Sequence, residues 1–167
     1  MIVEITRNPI FHIFIKKEKY YRTNDIVEAA IQMSKQYTGA LIVLPQTQDV
    51  SMSTIDAGVP IDANLSKELI LSIFNEKSPL HDGAIIVNNK QKITTARCIL
   101  PLSPTRQIGN RLLGTRHRAA LGLTEKIDAI VLVVSEETGA ISVARGGKLE
   151  MGIPHELLEQ KLAEKIL

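Results

Sequence analysis

The sequence predicts an α/β domain of the α+β kind, in which a twisted central mixed β-sheet is surrounded by helices. Short β-branched-rich runs alternate with segments of helical periodicity along the chain, which favours a mixed sheet covered by helices. The length of 167 residues suits one domain with a sizeable core. A hydrophobic share of 44% without any tryptophan indicates that this core is aliphatic.

The first half of the chain contains two predicted helices and one predicted strand. Asp25 is followed three residues later by Glu28, which resembles a capping box, so we expect a helix over residues 25–37. The run ALIVL at residues 40–44 is stopped by a proline and predicts a buried strand. Helical spacing returns over residues 66–74.

The second half contains two predicted strand pairs with a helix between them. Residues 84–87 and 93–100 flank the turn-like segment NNKQK and predict a β-hairpin. Residues 115–123 are rich in alanine and leucine, and they predict a helix. Residues 129–134 and 140–144 bracket the loop SEETG as another strand pair.

The two ends of the chain differ in what they predict. We interpret residues 1–24 as an N-terminal extension or the remnant of an anchor, and residues 25–167 as one domain. The apolar block at residues 10–15 has no small-residue cleavage site behind it, and no apolar run approaches the roughly 18 residues of a membrane span. Pro154 opens a predicted closing helix. Its apolar side would carry Leu157, Leu158, Leu162 and Ile166.

Cysteine content and charge limit the possible function classes. Cys98 is the only cysteine, which excludes an internal disulfide and a cysteine-based zinc site and fits a cytosolic location. The formal net charge is only +2, yet no acidic residue occurs between Asp82 and Glu125. The basic residues of that segment are Lys90, Lys92, Arg97, Arg106, Arg111, Arg116 and Arg118. A solvated basic face is the ordinary explanation.

The position of the last cations indicates an anion instead. If Thr115 caps the predicted helix, then Arg116, His117 and Arg118 occupy its first turn. Positive charge there is disfavoured by the helix dipole, whereas a bound phosphate would make it favourable. We therefore predict that this helix start binds phosphate.

Two better-known phosphate motifs fit poorly. Gly109 and Gly114 have the spacing of a Walker A loop, but Thr115-Arg116 stands where Lys-Ser/Thr should follow. His81 and Asp82 could form the HD pair of a metal phosphohydrolase, but the other histidines supply no evident helical ligand set.

Two further segments could carry chemistry, although each also fits an ordinary polar turn. In HDGA, Gly83 and Ala84 would let a ligand approach the backbone, Asp82 could orient or deprotonate a hydroxyl, and His81 could bind a divalent cation. In SEETG, neighbouring carboxylates and a serine at a strand end would suit a metal ion that carries a triphosphate. Together the three segments contain what phosphoryl-type transfer needs.

The segments SPLHDGAIIV, LPLS, LGTRHRAALGLTE and VSEETGAISVARGG together resemble the catalytic domain of the bacterial diadenylate cyclases, of the membrane-anchored type, over residues 25–147. The resemblance implies a nucleotidyltransferase that condenses two ATP into the second messenger cyclic di-AMP and two pyrophosphates. The 3′-hydroxyl of one ATP would attack the α-phosphate of the other across a face-to-face homodimer, which could be transient or part of a higher oligomer. A divalent metal, Mn²⁺, Mg²⁺ or Co²⁺, would assist.

The resemblance also assigns site residues. The catalytic residues would be Asp82, Gly83, Ala84 and Arg116, with Asp82 beside the ribose 3′-hydroxyl. ATP and its phosphates would be bound by Thr115, Arg116, His117, Arg118, Ser135 and Leu100, the last beside the adenine. The metal would lie near His81, Glu137 and Glu136.

Ile99 departs from the membrane-anchored relatives, several of which have an aromatic residue at this place, and the upstream transmembrane helices of those relatives have no counterpart here. We therefore expect a cytoplasmic protein, tethered to the membrane if this is an excised catalytic domain, with no membrane contact from the chain itself. A non-enzymatic nucleotide sensor is an alternative. A nucleic-acid partner is not expected, because aromatic residues do not alternate with the basic ones.

Overall fold

The computed structural model describes residues 23–47, 55 and 58–164. Four α-helices and one 3₁₀ turn occur in this part of the chain. They are α1 (Thr23–Lys35), α2 (Lys67–Phe74), α3 (Thr115–Thr124), α4 (Leu158–Ala163) and the 3₁₀ turn His155–Leu157. The strands are β1 (Ala40–Pro45), β2 (Val59–Asn64), β3 (Ala84–Val87), β4 (Lys92–Cys98), β5 (Gln107–Ile108), β6 (Arg111–Leu112), β7 (Ala129–Val134), β8 (Ile141–Arg145) and β9 (Lys148–Met151).

Seven of these strands form one mixed sheet in the order β2-β4-β3-β1-β7-β8-β9, while β5 and β6 form a separate small ribbon. Strands β1 and β3 are parallel, with Ile42 opposite Ile85. The other neighbouring pairs of the large sheet are antiparallel. The predicted mixed sheet with surrounding helices is therefore confirmed.

The core has two layers, one on each face of the sheet. Strands β1 and β7 are buried along their whole length. Ile42 and Leu44 of β1 face a cluster formed with α1, α2 and α4, whereas Leu41 and Val43 face a cluster formed with α3. The alternation follows from the two-residue period of a strand. Helix α3 is thus separated from the other three helices by the sheet.

Several predicted boundaries need correction. Helix α1 already begins at Thr23, so Asp25 lies in its first turn and is not its N-cap. The helix ends at Lys35, and Tyr37 takes a left-handed φ of 54° behind it. Strand β4 ends at Cys98, two residues earlier than predicted. Ser66 caps α2 as an accepting side chain for the Leu69 amide.

The closing helix is shorter and less uniform than predicted. Pro154 precedes a 3₁₀ turn, which leads into α4. Leu158 and Leu162 are buried, whereas Leu157 is 42% exposed because it belongs to the turn. Ile166 and the predicted N-terminal extension to residue 22 lie outside the described residues.

Two strands of the large sheet were not predicted. Strand β2 is an edge strand that contains Pro60 and the positive-φ residue Asp62, and most of its side chains are exposed. Strand β9, at the other edge, has four residues, none fully buried. Edge strands bury little apolar surface, so their sequences lack the hydrophobic pattern on which strand prediction depends.

Candidate active site

The directions of the strands bring the predicted site segments to one edge of the sheet. This edge is formed by the ends of the central strands and not by an edge strand. Because β1 and β3 are parallel, their N-terminal ends, which follow Gly39 and Gly83, lie side by side. Strand β7 is antiparallel to β1, with Val134 opposite Ala40, so its C-terminal end reaches the same edge and continues into Ser135. The HDGA segment and the SEETG loop (residues 135–139) therefore occupy one edge, with β1 between them.

Helix α3 begins at this edge with free backbone donors. Its N-cap is Gly114 and not Thr115 as predicted, and no side chain caps it. The first intrahelical bond runs from the Arg118 amide to the Gly114 carbonyl at 3.0 Å. The preceding three N–H groups have no partner within the helix, and the first turn holds no acidic residue. This helix start has the dipole and the donors of an anion site.

Arg116 connects α3 to the other two segments. Its Nη1 lies 3.0 Å from Glu136 Oε2 in the SEETG loop. The guanidinium rests against Gly39, where a Cβ atom would come within 2.6 Å of Nη1. The Glu136 side chain is 61% exposed, and exposed ion pairs contribute only about 0–1 kcal/mol. An incoming phosphate can therefore compete with Glu136 for this guanidinium.

The Arg118 guanidinium donates hydrogen bonds to the backbone of the loop that precedes α3. Its Nε and Nη2 donate to the Ser103 carbonyl at 3.1 and 3.0 Å, and the Ser103 amide donates back to the Arg118 carbonyl at 2.9 Å. The same loop lies so close to α3 that a Cβ on Gly122 would come within 2.1 Å of the Pro101 oxygen. Arg118 thus holds the LPLS loop (residues 100–103) on the helix, and the two hydrogens of Nη1 and one of Nη2 are left for a phosphate.

His117 is half-buried between α3 and β8. Its Nε2 lies 3.3 Å from Ser142 Oγ. Burial lowers the pKa of His117 below the ordinary 6.5, and the charge of Glu137 opposes this only in part. This shift favours the neutral form of the ring, which can still offer a hydrogen bond to a ligand. Thr115, in contrast, is exposed at the helix start.

The HDGA turn has a backbone that requires glycine. Gly83 has a φ of +129°, and a Cβ there would come within 2.9 Å of Arg97 Cα. Ala84 is buried and pairs with Cys98, whereas the Asp82 side chain is exposed at the edge. The turn therefore presents Asp82 to solvent from a fixed backbone.

Arg97 was not singled out by its sequence context. It has a left-handed φ of 57°, at a point where the β3–β4 register shifts. Its side chain is exposed, and its backbone lies against Gly83 of the HDGA turn. Such a bulge re-aims a side chain, but no sequence signal marks a non-glycine residue at this conformation.

His81 has the local geometry of a metal ligand, although no complete cluster surrounds it. Its Nδ1 lies 2.7 Å from the Ser78 carbonyl and must donate to it, which leaves the Nε2 lone pair available. In the part of the chain that the structure describes, no three His, Cys, Asp or Glu side chains are grouped closely enough to hold a metal ion. His81, Glu136 and Glu137 are thus not assembled as a protein-only site.

The SEETG loop is ordered by Ser135. Its Oγ accepts from the amides of Glu137 and Thr138 at 3.3 and 3.2 Å. The hydroxyl hydrogen remains free to donate to a ligand. The side chains of Glu136 and Glu137 are exposed.

The LPLS loop follows β4 toward the same edge. Leu100 is only 5% exposed and belongs to the core under α3, whereas Ile99 is 63% exposed. Between these two residues, Ile99 offers far more side-chain surface to a ligand.

None of the helices within the described ranges has the length and apolar character needed to cross a bilayer.

Comparison with known proteins relates this arrangement to a family. Residues 27–149 match the family described as DAC, DisA bacterial checkpoint controller nucleotide-binding. The chain is 41% identical over 148 residues to the cyclic di-AMP synthase CdaA of Bacillus subtilis, covering 87% of this chain and 53% of that protein. It is 39% identical over 154 residues to a diadenylate cyclase of Listeria monocytogenes, covering 92% and 55%.

The fold agrees with a solved structure as well. A crystal structure of a double mutant of DacA from Staphylococcus aureus superposes with a TM-score of 0.76 at 43% identity, covering 84% of this chain and 91% of that one. The chain spans about half the length of the two curated relatives above. The match over residues 27–149, the identities and the shared fold show that the chain belongs to the DAC family, the family of the bacterial diadenylate cyclases.

Proposed function

We propose that this chain is the catalytic domain of a diadenylate cyclase, which converts two ATP into cyclic di-AMP and two pyrophosphates. The names of its relatives support this activity. The observation that carries the proposal is the meeting of an uncapped, cation-rich helix start with the exposed Asp82 at one sheet edge. Anion binding and activation of a hydroxyl are the two tasks that the reaction requires.

The strand order suggests how one ATP lies along the edge. The strands lie side by side in the order β4, β3, β1, β7. Four residues follow this order at their ends: Ile99, Asp82, Arg116, which packs on Gly39, and Ser135. Neighbouring strands are about 4.8 Å apart, so this row has the length of an extended nucleotide. The phosphates would lie at the α3 amides, Arg116 and Ser135, the ribose at Asp82, and the adenine at the end of β4.

The chemistry is then two in-line displacements. The 3′-oxygen of one ATP forms a bond to the α-phosphorus of the other, the bond to pyrophosphate breaks, and Asp82 receives the proton of the hydroxyl. The same step with exchanged roles closes the ring. Because one edge holds one ATP, two protomers must face each other with a two-fold contact. Alignment and charge neutralisation supply most of such catalysis.

A divalent cation, Mn²⁺, Mg²⁺ or Co²⁺, fits the donor chemistry of this edge, and when bound it would neutralise charge on the phosphates. His81 Nε2 and the exposed Glu137 carboxylate would hold it, and Glu136 would become available when Arg116 turns to phosphate. Because few protein ligands are close together, phosphate oxygens and water would complete its shell.

Product analysis tests the proposal. Purified protein is incubated with ATP and each metal, and the products are identified by mass spectrometry. We expect cyclic di-AMP from the unmodified protein. Asp82→Asn should bind ATP with nearly unchanged affinity in calorimetry and lose turnover by about 100-fold or more.

The outcomes that contradict the proposal are distinct. Comparable product from Asp82→Asn would refute the role of this carboxylate. ATP binding without any cyclic product, with all three metals, would instead support a non-enzymatic nucleotide sensor.

A further inference from the structure

The SEETG loop is held by a hydrogen-bond chain that the proposed reaction does not use. Ser34 Oγ, near the end of α1, lies 2.5 Å from the Gly139 carbonyl oxygen. The same Oγ lies 3.0 Å from His155 Nε2 in the 3₁₀ turn. One serine hydroxyl therefore joins α1, the SEETG loop and the C-terminal turn.

The direction of each hydrogen bond follows from the chemistry of the groups. A carbonyl oxygen can only accept, so the single hydroxyl hydrogen of Ser34 is donated to Gly139. Ser34 Oγ must then accept from His155, whose Nε2 carries the hydrogen. The chain runs in one direction, from the imidazole through the hydroxyl to the loop carbonyl.

The loop also fits tightly against α1. Gly139 has a φ of +71°, and a Cβ there would come within 2.5 Å of the Ser34 carbonyl oxygen. The Gly139 amide donates to the Ser135 carbonyl at 2.9 Å, which closes the loop. A shift of Gly139 would therefore move both Ser135 and Glu136.

The loop is thus held from both faces of the sheet. Helix α1 and the closing helix pack on one face, and α3 packs on the other. Arg116 makes its ion pair with Glu136 from the α3 side, and Ser34 with His155 contacts Gly139 from the opposite side. Ser34 lies 105 residues from Gly139 and 121 from His155 in sequence, so the chain ties distant segments to the site.

We propose that Ser34 and His155 are positioning residues for the SEETG loop. By fixing Gly139, they would keep Ser135 and Glu136 in register with Arg116 and the α3 start, where the triphosphate would bind. The inference rests on the proposed function for the identity of that ligand. It concerns loop placement and assigns neither residue a contact with the reacting atoms.

Three substitutions and one control test this role. Ser34→Ala removes both hydrogen bonds of the chain, and His155→Phe removes only the one to Ser34, whereas His155→Gln keeps an N–H donor in a side chain of similar reach. Ser72→Ala is the control, because Ser72 Oγ donates only to the Glu68 carbonyl of its own exposed helix turn. The measurements are amide hydrogen exchange of residues 136–140 and ATP affinity by calorimetry, with urea unfolding recorded for each variant.

Ser34→Ala should accelerate exchange of those amides and weaken ATP binding, each by about fivefold, the equivalent of one net hydrogen bond. His155→Phe should change both in the same direction but less, because Ser34 can still donate to Gly139. His155→Gln should restore most of both, and Ser72→Ala should change neither. If Ser34→Ala and His155→Phe shift only the unfolding midpoint and leave exchange and ATP affinity unchanged, the role is structural and the inference is overturned.

The test does not depend on turnover, so its failure and that of the proposed function are distinguishable. If no cyclic di-AMP forms but these variants alter loop exchange and ATP affinity, the positioning role stands and the cyclase proposal fails. If the unmodified protein makes cyclic di-AMP and the variants leave exchange and affinity unchanged, only the positioning role fails.

Discussion

At the scale of single residues, Arg116 and Arg118 have different tasks although they are two positions apart. Arg116 pairs with the exposed Glu136 carboxylate at the edge, whereas Arg118 donates twice to a backbone carbonyl of the LPLS loop. Sequence alone assigns both to phosphate, because the helix start determines only which residues are near it. Which of the two guanidiniums is already bound depends on a loop that lies 15 residues away.

The two arginines should therefore respond differently to removal. Arg116→Ala should lower ATP affinity about tenfold or more, through loss of a charge-assisted phosphate contact, with little change in the free energy of unfolding. Arg118→Ala should lower the free energy of unfolding by about 1–3 kcal/mol, because the Ser103 carbonyl loses both donors. Calorimetry with ATP and urea unfolding measure the two quantities. Equal ATP affinities of Arg116→Ala and the parent protein would refute the phosphate assignment.

Several contacts of the site could not be predicted from the sequence. Gly39 leaves room for the Arg116 guanidinium, and Ser34 with His155 contacts the SEETG loop, yet no local motif marks these residues. Their partners are far away in sequence, so the contacts depend on the assembled sheet. The positions of HDGA, TRHR and SEETG in the fold were predictable, because each segment lies at the end of a recognisable element. Their roles in the site stay predictions.

At the scale of elements, the start of α3 lacks a side-chain cap and thereby keeps the backbone donors that an anion site needs. Gly114 has a φ of −69°, which any residue can adopt, and a Cβ there would lie 3.9 Å from His117 Nδ1, an ordinary contact. Nothing in the backbone therefore requires glycine at this N-cap. A capping side chain would occupy the amides that are free for phosphate.

A capping side chain at the start of α3 should raise the free energy of unfolding and lower the affinity for ATP. Gly114→Asp should raise the free energy of unfolding by a few tenths to about 1 kcal/mol, because it caps α3 and complements its dipole. It should also weaken ATP binding, since its carboxylate repels phosphate. Gly114→Asn is the matched control, because it offers the same capping oxygen without charge. We expect ATP to bind the Asp variant at least about fivefold more weakly than the Asn variant, as measured by calorimetry.

Equal ATP affinities of the Asp and Asn variants would show that phosphate does not bind at the α3 start.

The elements themselves were largely predictable, since β1, β3, β7 and α3 have strong apolar or alanine-rich patterns. The N-cap was misplaced by one residue because Thr115 has the better capping side chain, while the chain uses Gly114.

At the scale of the whole molecule, the site exists because of sheet topology. The parallel pairing of β1 with β3 and the antiparallel pairing of β1 with β7 bring three separate segments to one edge. Periodicity predicts strands but not their order, so this convergence could not be derived from the patterns alone. It was expected only through the resemblance to the diadenylate cyclases.

In the proposed reaction each sheet edge binds one ATP, so a single domain would supply half of the reacting groups. The most direct test is a crystal structure of the protein with a non-hydrolysable ATP analogue and Mn²⁺. We expect the triphosphate at the α3 amides and Arg116, the ribose 3′-oxygen within hydrogen-bond distance of an Asp82 carboxylate oxygen, and a second protomer facing the first. An analogue bound with its phosphates away from the α3 start, or its ribose out of reach of Asp82, would contradict the account.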